Sequence, residues 1–299
     1  MTAENILLTG ASGLIGGALR RRLESRGCRV HPLSRDDSGA PFHYSADRGE
    51  IRLDPRIRLD AVVNLAGANI STRRWSSGYK RLIMDSRVEL TRALANALAA
   101  AEHRPRVLLS ASAIGFYGDT GADTVDESSP RGGDFLADVA ANWEAACGPA
   151  VEAGIRTVNM RFGVVLSRGG GVLKAMLPPF KLGAGGKLGD GGQHMSWIAL
   201  ADVLDLIDLC LRDDNISGPI NFVSGNPATN AEFTRALGKA LRRPAFSPFL
   251  RAWLIRLLFG EMGEALLLGS NRVVSRHHGE IGFAPSHPNL VDALKAELG

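Results

Sequence analysis

The sequence predicts an α/β fold built around a parallel sheet. Strand-like and helix-like segments alternate through the first 165 residues, an order typical of strands joined by crossover helices. Gly10, Gly13 and Gly16 lie between the first predicted strand and the first predicted helix. A glycine turn at that place is typical of a Rossmann-type doubly wound sheet, which is therefore the fold class that we predict.

Hydrophobic spacing defines the predicted elements. Short apolar runs indicate buried strands, and apolar residues that recur every three or four positions indicate helices. The first helix carries such residues from Leu14 to Leu23 and ends at Gly27. The predicted strands are 6–8, 29–33, 61–65, 107–110, 157–161 and 220–223, and the predicted helices are 81–100, 135–151, 201–211 and 230–241.

Composition excludes several classes of protein. The net charge is +4, without a long basic run or a nucleic-acid motif, so no nucleic-acid partner is expected. The cysteines, Cys28, Cys147 and Cys210, lack the spacing of metal ligands, so we expect reduced thiols, no metal site and a cytoplasmic location. Neither a signal peptide nor an apolar run of about 18 residues is present, so no membrane association is expected.

The opening glycines predict a dinucleotide-binding turn. Gly10 permits a tight bend, Gly13 lets the backbone approach a pyrophosphate, and Gly16 allows close packing of helix on strand. The phosphates would meet free N–H groups and the positive end of the helix dipole. Asn64-Leu-Ala-Gly67 ends a later strand, where its small residues could border the adenosine of the cofactor. A simple strand-to-loop turn is the alternative there.

The end of the second strand favours NADP over NAD. An acidic residue at this place would bind the ribose hydroxyls and repel a 2′-phosphate. Here the strand ends in Leu33-Ser34-Arg35, and a hydroxyl with a guanidinium suits a phosphate. Asp36 and Asp37 follow directly, and either one would be the ribose-binding acid if the strand were longer.

A change in composition after Ser167 divides the chain. Nine glycines lie between Gly169 and Gly192, and so long a glycine-rich segment is usually a functional loop. We predict an NADP-binding domain over 1–167, to which some later segments return. Residues 168–299 are predicted to form a smaller substrate-binding lobe with a C-terminal module.

Several motifs resemble those of the extended short-chain dehydrogenase/reductase family, which contains nucleotide-sugar epimerases. Besides the opening glycines they are Ser110-Ala-Ser112-Ala-Ile-Gly-Phe-Tyr117-Gly118, Arg161-Phe-Gly-Val-Val, Trp197-Ile-Ala-Leu-Ala-Asp202-Val and Asn221-Phe-Val-Ser-Gly. An atypical subgroup labelled "epimerase family protein" is resembled more closely. The motifs for that subgroup are Arg74-Trp75, Ser86-Arg87, Trp143-Glu144, Met176-Leu-Pro-Pro-Phe180, Gly260-Glu261 and an extra module at about 252–298.

The resemblance also shows what is missing. In the family a tyrosine acts as general acid/base, and a lysine four residues later lowers the pKa of that tyrosine. Alignment on Trp143-Glu144 places Leu136 and Ala140 at these two positions, and neither can carry a proton. No tyrosine of this chain has a lysine four residues later. Hydride transfer to a carbonyl would therefore need another proton source.

The remaining site residues are predicted partly from the resemblance. Ser112 matches the family's substrate-binding hydroxyl, and Arg87 matches an asparagine of the family. The predicted catalytic residues are Ser112, Tyr117 and Arg87. The predicted cofactor contacts are Thr9, Gly10, Ser12, Gly13, Leu14, Ile15, Gly16, Ser34, Arg35, Leu65, Ala66, Gly67, Arg87 and Ser110. The predicted substrate contacts are Arg74, Trp75 and His194.

Each of these candidates has a structural alternative. Tyr117 is either a displaced acid or a packing residue, and Arg87 is either an electrostatic substitute for the lysine or half of an ion pair. His194 is either a proton shuttle or a structural histidine. Arg74 with its adjacent tryptophan would clamp an anionic or ring-bearing substrate, or else simply pack. Asp119 and Lys80 would take part only if their loops fold inward.

Two functions follow from these observations. The first is an NADP-dependent oxidoreductase or epimerase-like enzyme that acts on a small, anionic molecule. The second is a non-catalytic NADP(H)-binding sensor or regulatory protein, which the missing Tyr/Lys pair favours. A homodimer through the two long predicted helices is also an expectation from the resemblance.

Overall fold

The computed structural model describes residues 4–36, 39–244 and 246–299. Its strands are β1 (Asn5–Thr9), β2 (Arg29–Pro32), β3 (Phe42–Ser45), β4 (Glu50–Leu53), β5 (Ala61–Asn64), β6 (Val107–Ala113), β7 (Thr124–Val125), β8 (Arg156–Phe162), β9 (Val164–Leu166), β10 (Gly186–Leu188), β11 (His194–Met195), β12 (Trp197–Ala199), β13 (Gly218–Phe222), β14 (Ala228–Thr229), β15 (Phe246–Leu250) and β16 (Arg272–Val273).

Its helices are α1 (Leu14–Ser25), α2 (Ser77–Ala100), α3 (Phe135–Ala145), α4 (Gly148–Glu152), α5 (Gly171–Lys181), α6 (Leu200–Arg212), α7 (Asn230–Leu241), α8 (Ala252–Phe259), α9 (Glu261–Gly263) and α10 (Leu290–Leu298). A 3₁₀ turn covers Ile114–Tyr117, and a π-helical turn covers Glu264–Leu268. Within the described residues, no helix is both long and apolar enough to cross a lipid bilayer.

The central sheet has six parallel strands in the order β13-β8-β6-β5-β1-β2. The chain runs from β1 outward to β2 and then returns to the other side of β1 as β5. Strand order therefore reverses between β1 and β5, where Thr9 lies opposite Asn64. A crevice at the carboxyl ends of two such strands is where doubly wound sheets bind ligands. The predicted fold class is confirmed.

Helices cover both faces of this sheet because successive strand residues point to opposite sides. Ile6 and Leu8 pack on one face with Leu19 of α1 and Leu206 of α6. Leu7 packs on the other face, in a cluster that includes α2 and α4 residues. Burial on both faces explains why the strands are continuous apolar runs.

A separate cluster forms the second hydrophobic core. It joins α5, α7 and α10 through Leu173, Phe180, Phe233, Leu237 and Leu294, all nearly or fully buried. Two other elements from the later half of the chain, α6 and β13, pack into or extend the central sheet.

Two predicted helices differ from the observed ones. The helix expected at 135–151 is two helices, because the chain turns after Ala145 and restarts as α4, with Pro149 in its first turn. Proline is accommodated in the first turn of a helix. In a helix interior it lacks the N–H for a backbone hydrogen bond and clashes with the preceding turn, so α3 does not continue through Pro149. The helix expected from residue 81 begins at Ser77, since the Ser76 hydroxyl accepts the N–H of Tyr79 as a cap.

Candidate active site: a glycine turn, a buried polar network and a cavity

The glycine turn leaves no room for side chains. Gly10 has a φ of +66°, and a Cβ there would lie 2.6 Å from the carbonyl oxygen of Leu65. A Cβ on Gly16 would lie 2.2 Å from the carbonyl oxygen of Gly10. These contacts press the turn against both helix α1 and the loop after β5, so glycine is required at both positions.

The N-terminus of α1 is open to a ligand. Gly13 is its N-cap and provides no side-chain hydrogen bond. The N–H groups of a first helical turn lack intrahelical acceptors, so those following Gly13 are available to an anion. Ser12 and Gly13 are exposed, and Leu14 and Ile15 are half-buried. The residues present thus fit a dinucleotide pyrophosphate.

A buried hydrogen-bond network holds the neighbouring strand ends. The Thr9 hydroxyl donates to Asn64 Oδ1 at 2.7 Å and accepts the N–H groups of Leu65 and Ala66 at 3.0 and 3.1 Å. Asn64 Nδ2 donates to the hydroxyls of Thr91 and Ser110 at 2.8 and 3.2 Å. This network fixes the course of the loop that begins at Leu65.

The same network corrects two predicted cofactor contacts. Ser110 is 0% exposed and Thr9 is 1% exposed, so neither hydroxyl reaches the surface of the crevice. Their roles are to position the backbone of the loop after β5. Gly67 of that loop is exposed, and Leu65 and Ala66 are half-buried.

The segment after β2 lies beside the β3–β4 hairpin. The Ser34 N–H donates to the carbonyl of Phe42, and the Ser34 carbonyl accepts the N–H of Tyr44. Arg35 and Asp36 follow as exposed residues, whereas Asp37 lies outside the described residues. Ser34 and Arg35 therefore come directly after the second strand of the sheet, as the NADP prediction requires.

Arg87 is a largely buried cation that faces backbone. Its Nη1 and Nη2 donate to the carbonyls of Ile83 and Ala68 at 3.0 and 2.9 Å, and its guanidinium lies 5.1 Å from the centre of the Trp143 ring. Burial lowers the pKa of Arg87 to about 10. A Cβ on exposed Gly67 would lie 3.1 Å from Arg87 Cζ, so the cation borders the edge of the crevice.

The alternative prediction for Arg87, that it forms half of an ion pair, is wrong within the described residues. No carboxylate of the described chain pairs with its guanidinium, which bonds to carbonyl oxygens only. A half-buried cation without a counter-ion favours an anion at the crevice.

Ser112 faces a carboxylate rather than a ligand. It is 2% exposed, and its hydroxyl donates to Glu144 Oε1 at 2.6 Å. Arg161 clamps the same carboxylate through Nε to Oε1 at 2.7 Å and Nη2 to Oε2 at 2.8 Å. Although burial opposes its charge, hydrogen bonds and attraction from Glu144 raise the pKa of Arg161. The structure thus corrects the predicted contact of Ser112 with substrate.

Tyr117 belongs to the same buried network. Its hydroxyl accepts from Arg161 Nη1 and donates to Asn221 Oδ1, both at 2.9 Å. Burial raises the pKa of Tyr117, and the residue is 5% exposed. This arrangement favours the packing alternative over a displaced acid.

A cavity of about 260 Å³ lies beside Leu136, the residue that the sequence alignment predicts at the family tyrosine position. Leu136 lines it next to Gly115, where a Cβ would meet the Leu136 side chain at 3.3 Å. The other lining residues are Trp75, Gly118, Asp119, Asp134, Phe135, Glu261, Glu264, Ala265, Gly269 and Asn271.

The C-terminal segment forms one wall of this cavity. Asp119 Oδ1 accepts the N–H of Ser270 at 3.2 Å, and Asn271 Nδ2 donates to the carbonyl of Gly118. Lys80 pairs with Glu261 at 2.7 Å. Asp119 therefore lines the cavity in contact with Ser270. Lys80 lies in helix α2 rather than on a loop, pairs with Glu261 of α9, and is not among the lining residues.

The predicted substrate contacts separate in space. Trp75 lines the cavity, whereas Arg74 is exposed and points to Gly260, where a Cβ would lie 3.1 Å from its Nη2. His194 is half-buried in β11 and is not among the cavity residues. Sequence reasoning missed Asp134, Phe135, Glu261, Glu264 and Asn271. Only Gly260-Glu261 among the quoted motifs pointed to that wall.

No group of three or more potential metal ligands occurs within the described residues. All three cysteines are free thiols in the structure, two of them buried.

Comparison with known proteins identifies the family. The NAD dependent epimerase/dehydratase family matches residues 6–224. The chain belongs to this family. A second match, to a domain of unknown function (DUF1731), covers residues 252–297, which contain the C-terminal wall of the cavity. The predicted resemblance is thereby confirmed.

Relatives of this family align over nearly the whole chain. "Epimerase family protein Mb2239" of Mycobacterium bovis is 39% identical over 291 residues, which cover 97% of this chain and 96% of the relative. The human "Epimerase family protein SDR39U1" is 36% identical over 293 residues, with 97% and 98% covered.

Solved structures extend the likeness to the fold. The crystal structure of human SDR39U1 (isoform 2) with NADPH matches with a TM-score of 0.88 at 34% identity, covering 98% of each chain. The UDP-glucose 4-epimerase of Thermotoga maritima, solved with UDP-glucose, matches with a TM-score of 0.75 at 18% identity, covering 98% and 97%. The second likeness shows the fold alone.

Proposed function

We propose that this protein is an NADP(H)-dependent oxidoreductase or epimerase-like enzyme whose substrate occupies the cavity beside Leu136. One observation carries the proposal. The glycine turn, the open N-terminus of α1 and this cavity follow the carboxyl ends of β1, β5 and β6, strands that adjoin in the sheet. Doubly wound sheets place cofactor and substrate along that edge.

The proposed cofactor is NADP(H). Ser34 and Arg35 after β2 suit its 2′-phosphate, and the relative that shares 34% identity was crystallised with NADPH. When bound, the nicotinamide ring gives or accepts a hydride. This chain would hold the pyrophosphate at the N-terminus of α1 and place the positive charge of Arg87 at the edge of the crevice.

The proton would come from a group that replaces the family tyrosine. Leu136 and Ala140 cannot carry one, and the hydroxyls of Ser112 and Tyr117 are engaged in the Arg161 network. Asp119 and Asp134 are the cavity carboxylates without an ion-pair partner among the described residues. Each of these two carboxylates has an Oδ2 without a hydrogen bond to the described chain. We assign proton exchange with the substrate to Asp134, because it lies two residues before Leu136, the residue predicted at the family tyrosine position.

A non-catalytic NADP(H)-binding regulator is the second candidate. What favours it is the predicted placement of the apolar residues Leu136 and Ala140 at the two proton-transfer positions; Ala140 is 2% exposed. In that case the cavity would take a regulatory ligand or remain filled by solvent. For either function we propose a cytoplasmic location, since free thiols are typical of reducing compartments.

Turnover decides between the two candidates. The protein loaded with NADPH is mixed with a panel of carbonyl compounds and nucleotide sugars, and loss of reduced nicotinamide is followed by absorbance. The enzyme proposal predicts substrate-dependent oxidation that Asp134→Asn reduces about 100-fold or more. The control Asp138→Asn removes a carboxylate one turn along α3 that pairs with Arg131 instead, and it should keep full activity. Binding of NADPH without turnover of any panel member would support the regulator.

A further inference from the structure

The cavity beside Leu136 carries charge of one sign. Four carboxylates line it, from Asp119, Asp134, Glu261 and Glu264, and no basic side chain is among its lining residues. All four residues are exposed, so the charges lie where the cavity meets solvent. A cleft lined by one sign of charge attracts ligands of the opposite sign and repels those of the same sign.

Salt bridges neutralise only half of this charge within the described residues. Lys80 pairs with Glu261 at 2.7 Å, and Arg256 pairs with Glu264 at 2.6 Å. Asp119 Oδ1 accepts the N–H groups of Gly121 and Ser270, and no cation of the described chain pairs with it. The Asp134 carboxylate likewise accepts only the N–H of Ala137, and no cation of the described chain pairs with it. Two negative charges therefore remain at the cavity mouth.

The uncharged part of the wall is apolar. Trp75 and Phe135 meet edge to face with ring centres 5.2 Å apart, and Leu136 and Ala265 extend that surface. The indole N–H of Trp75 donates to the carbonyl of Ile70 and so offers no donor to a ligand.

The side-chain amide of Asn271 uses one of its two Nδ2 hydrogens in a bond to the carbonyl of Gly118. Its Oδ1 remains as an acceptor, like the carboxylate oxygens around it. Side chains of this cavity thus present mostly acceptors, from four carboxylates and Asn271 Oδ1, together with aromatic surface. A ligand that matches them supplies hydrogen-bond donors on a ring.

The volume limits the size of that ligand. At about 260 Å³ the cavity lies below the range of about 300–1,000 Å³ typical of pockets for drug-sized ligands. A single small ring fills such a space, whereas a nucleotide diphosphate attached to a sugar would extend beyond it into solvent.

We propose that the substrate of this site is a small ring-bearing molecule with hydroxyl or ammonium donors and no negative charge. The inference rests on the proposed function, because that function makes the cavity the substrate site. It replaces the anionic substrate expected from the sequence, for which Arg74 with its adjacent tryptophan was the predicted clamp. It also gives the C-terminal segment at 252–297 a role, since this segment supplies Glu261, Glu264 and Asn271 to the wall.

Three cyclohexanols of matched size test the charge preference. They are trans-4-aminocyclohexanol, trans-1,4-cyclohexanediol and trans-4-hydroxycyclohexanecarboxylate, which are cationic, neutral and anionic at neutral pH. Binding to the NADP⁺-loaded protein is measured by ligand-observed NMR titration, and oxidation is followed in parallel by NADPH absorbance. We expect the amine and the diol to bind more tightly than the carboxylate by about tenfold.

A double variant tests the carboxylates themselves. Asp119→Asn with Asp134→Asn removes both unpaired charges but keeps the oxygens that accept the backbone N–H groups. Asp292→Asn on α10 is the control, because this exposed carboxylate lies 3.6 Å from Lys295 and outside the cavity. The double variant should lower the affinity for the amine about three- to tenfold and raise that for the carboxylate, whereas the control should change neither. If the double variant fails to fold, Asp134→Asn alone is measured.

The possible outcomes separate this inference from the proposed function. Tightest binding of the carboxylate, or equal binding of all three compounds, would overturn the inference while leaving an enzyme possible. Failure of all three to bind would also overturn it. The expected order of binding without any NADP⁺ reduction would support the ligand class and count against the oxidoreductase.

Discussion

Replacement of Gly16 by alanine should abolish tight NADPH binding. The new Cβ would lie 2.2 Å from the carbonyl oxygen of Gly10, well inside van der Waals contact. Neither group can avoid the other by a side-chain rotation, because the clash is with backbone. The start of α1 or the turn at Gly10 must move, by about 1 Å if the contact is to become an ordinary one.

That movement displaces the N–H groups proposed to hold the pyrophosphate. A hydrogen bond to a charged group contributes about 1.5–3 kcal/mol, so loss of one of them weakens binding about 10- to 150-fold. Fluorescence titration with NADPH measures this change directly. Thermal unfolding of the same variant shows whether the fold is retained.

Gly17→Ala is the matched control in the same helical turn. A Cβ at Gly17 has its nearest neighbour at 3.6 Å, an ordinary contact, and alanine favours a helix over glycine by about 0.5–1 kcal/mol. This variant should bind NADPH like the unchanged protein and unfold at a slightly higher temperature. If Gly16→Ala bound NADPH within twofold of the unchanged protein, the proposed geometry of the turn would be refuted.

Three further predictions concern charged residues. Arg35→Asp should weaken NADPH binding at least tenfold more than NADH binding, because it places an acid beside the 2′-phosphate; equal losses would remove Arg35 from that role. Glu144→Leu should lower the free energy of unfolding in urea by about 3–5 kcal/mol, since Arg161, with 4% of its side chain exposed, loses its partner; a loss below about 1 kcal/mol would contradict this. Arg87→Met should weaken NADPH binding about tenfold in the same titration, with partial recovery in Arg87→Lys; unchanged affinity would exclude Arg87 from the cofactor site.

The glycine turn could be predicted from sequence because its physics is local. Gly10, Gly13 and Gly16 follow a short apolar run and precede an amphipathic helix, and steric limits on that connection require glycine wherever the backbones touch. The alternation of strands and helices could also be predicted, because each element has its own spacing of hydrophobic residues.

The buried polar network could not be predicted in this way. Tyr117, Glu144 and Arg161 are far apart in sequence, and their bonds depend on how β6, α3 and β8 pack. From sequence, the hydroxyls of Ser112 and Tyr117 were both open to catalytic interpretations. Their burial beside Arg161 removes them from the cavity, a fact that only the tertiary arrangement supplies.

The cavity beside Leu136 could be predicted only in part. The sequence predicts the apolar residues Leu136 and Ala140 at the two proton-transfer positions of the family. The opposing wall comes from Glu261, Glu264 and Asn271, more than 100 residues later in the chain. Hydrogen bonds between the segments at 118–121 and 270–271 bring that wall into place, and their pairing has no local signature.

The most direct test of this account is titration of the purified protein with NADPH, followed by the fluorescence of the reduced nicotinamide, with NADH titrated in parallel. We predict saturable binding of NADPH, at least tenfold weaker binding of NADH, and loss of the NADPH signal in Gly16→Ala but not in Gly17→Ala. Absence of saturable NADPH binding at millimolar concentration, or equal binding by the two glycine variants, would contradict the central claim that the turn at Gly10–Gly16 holds an NADP(H) cofactor.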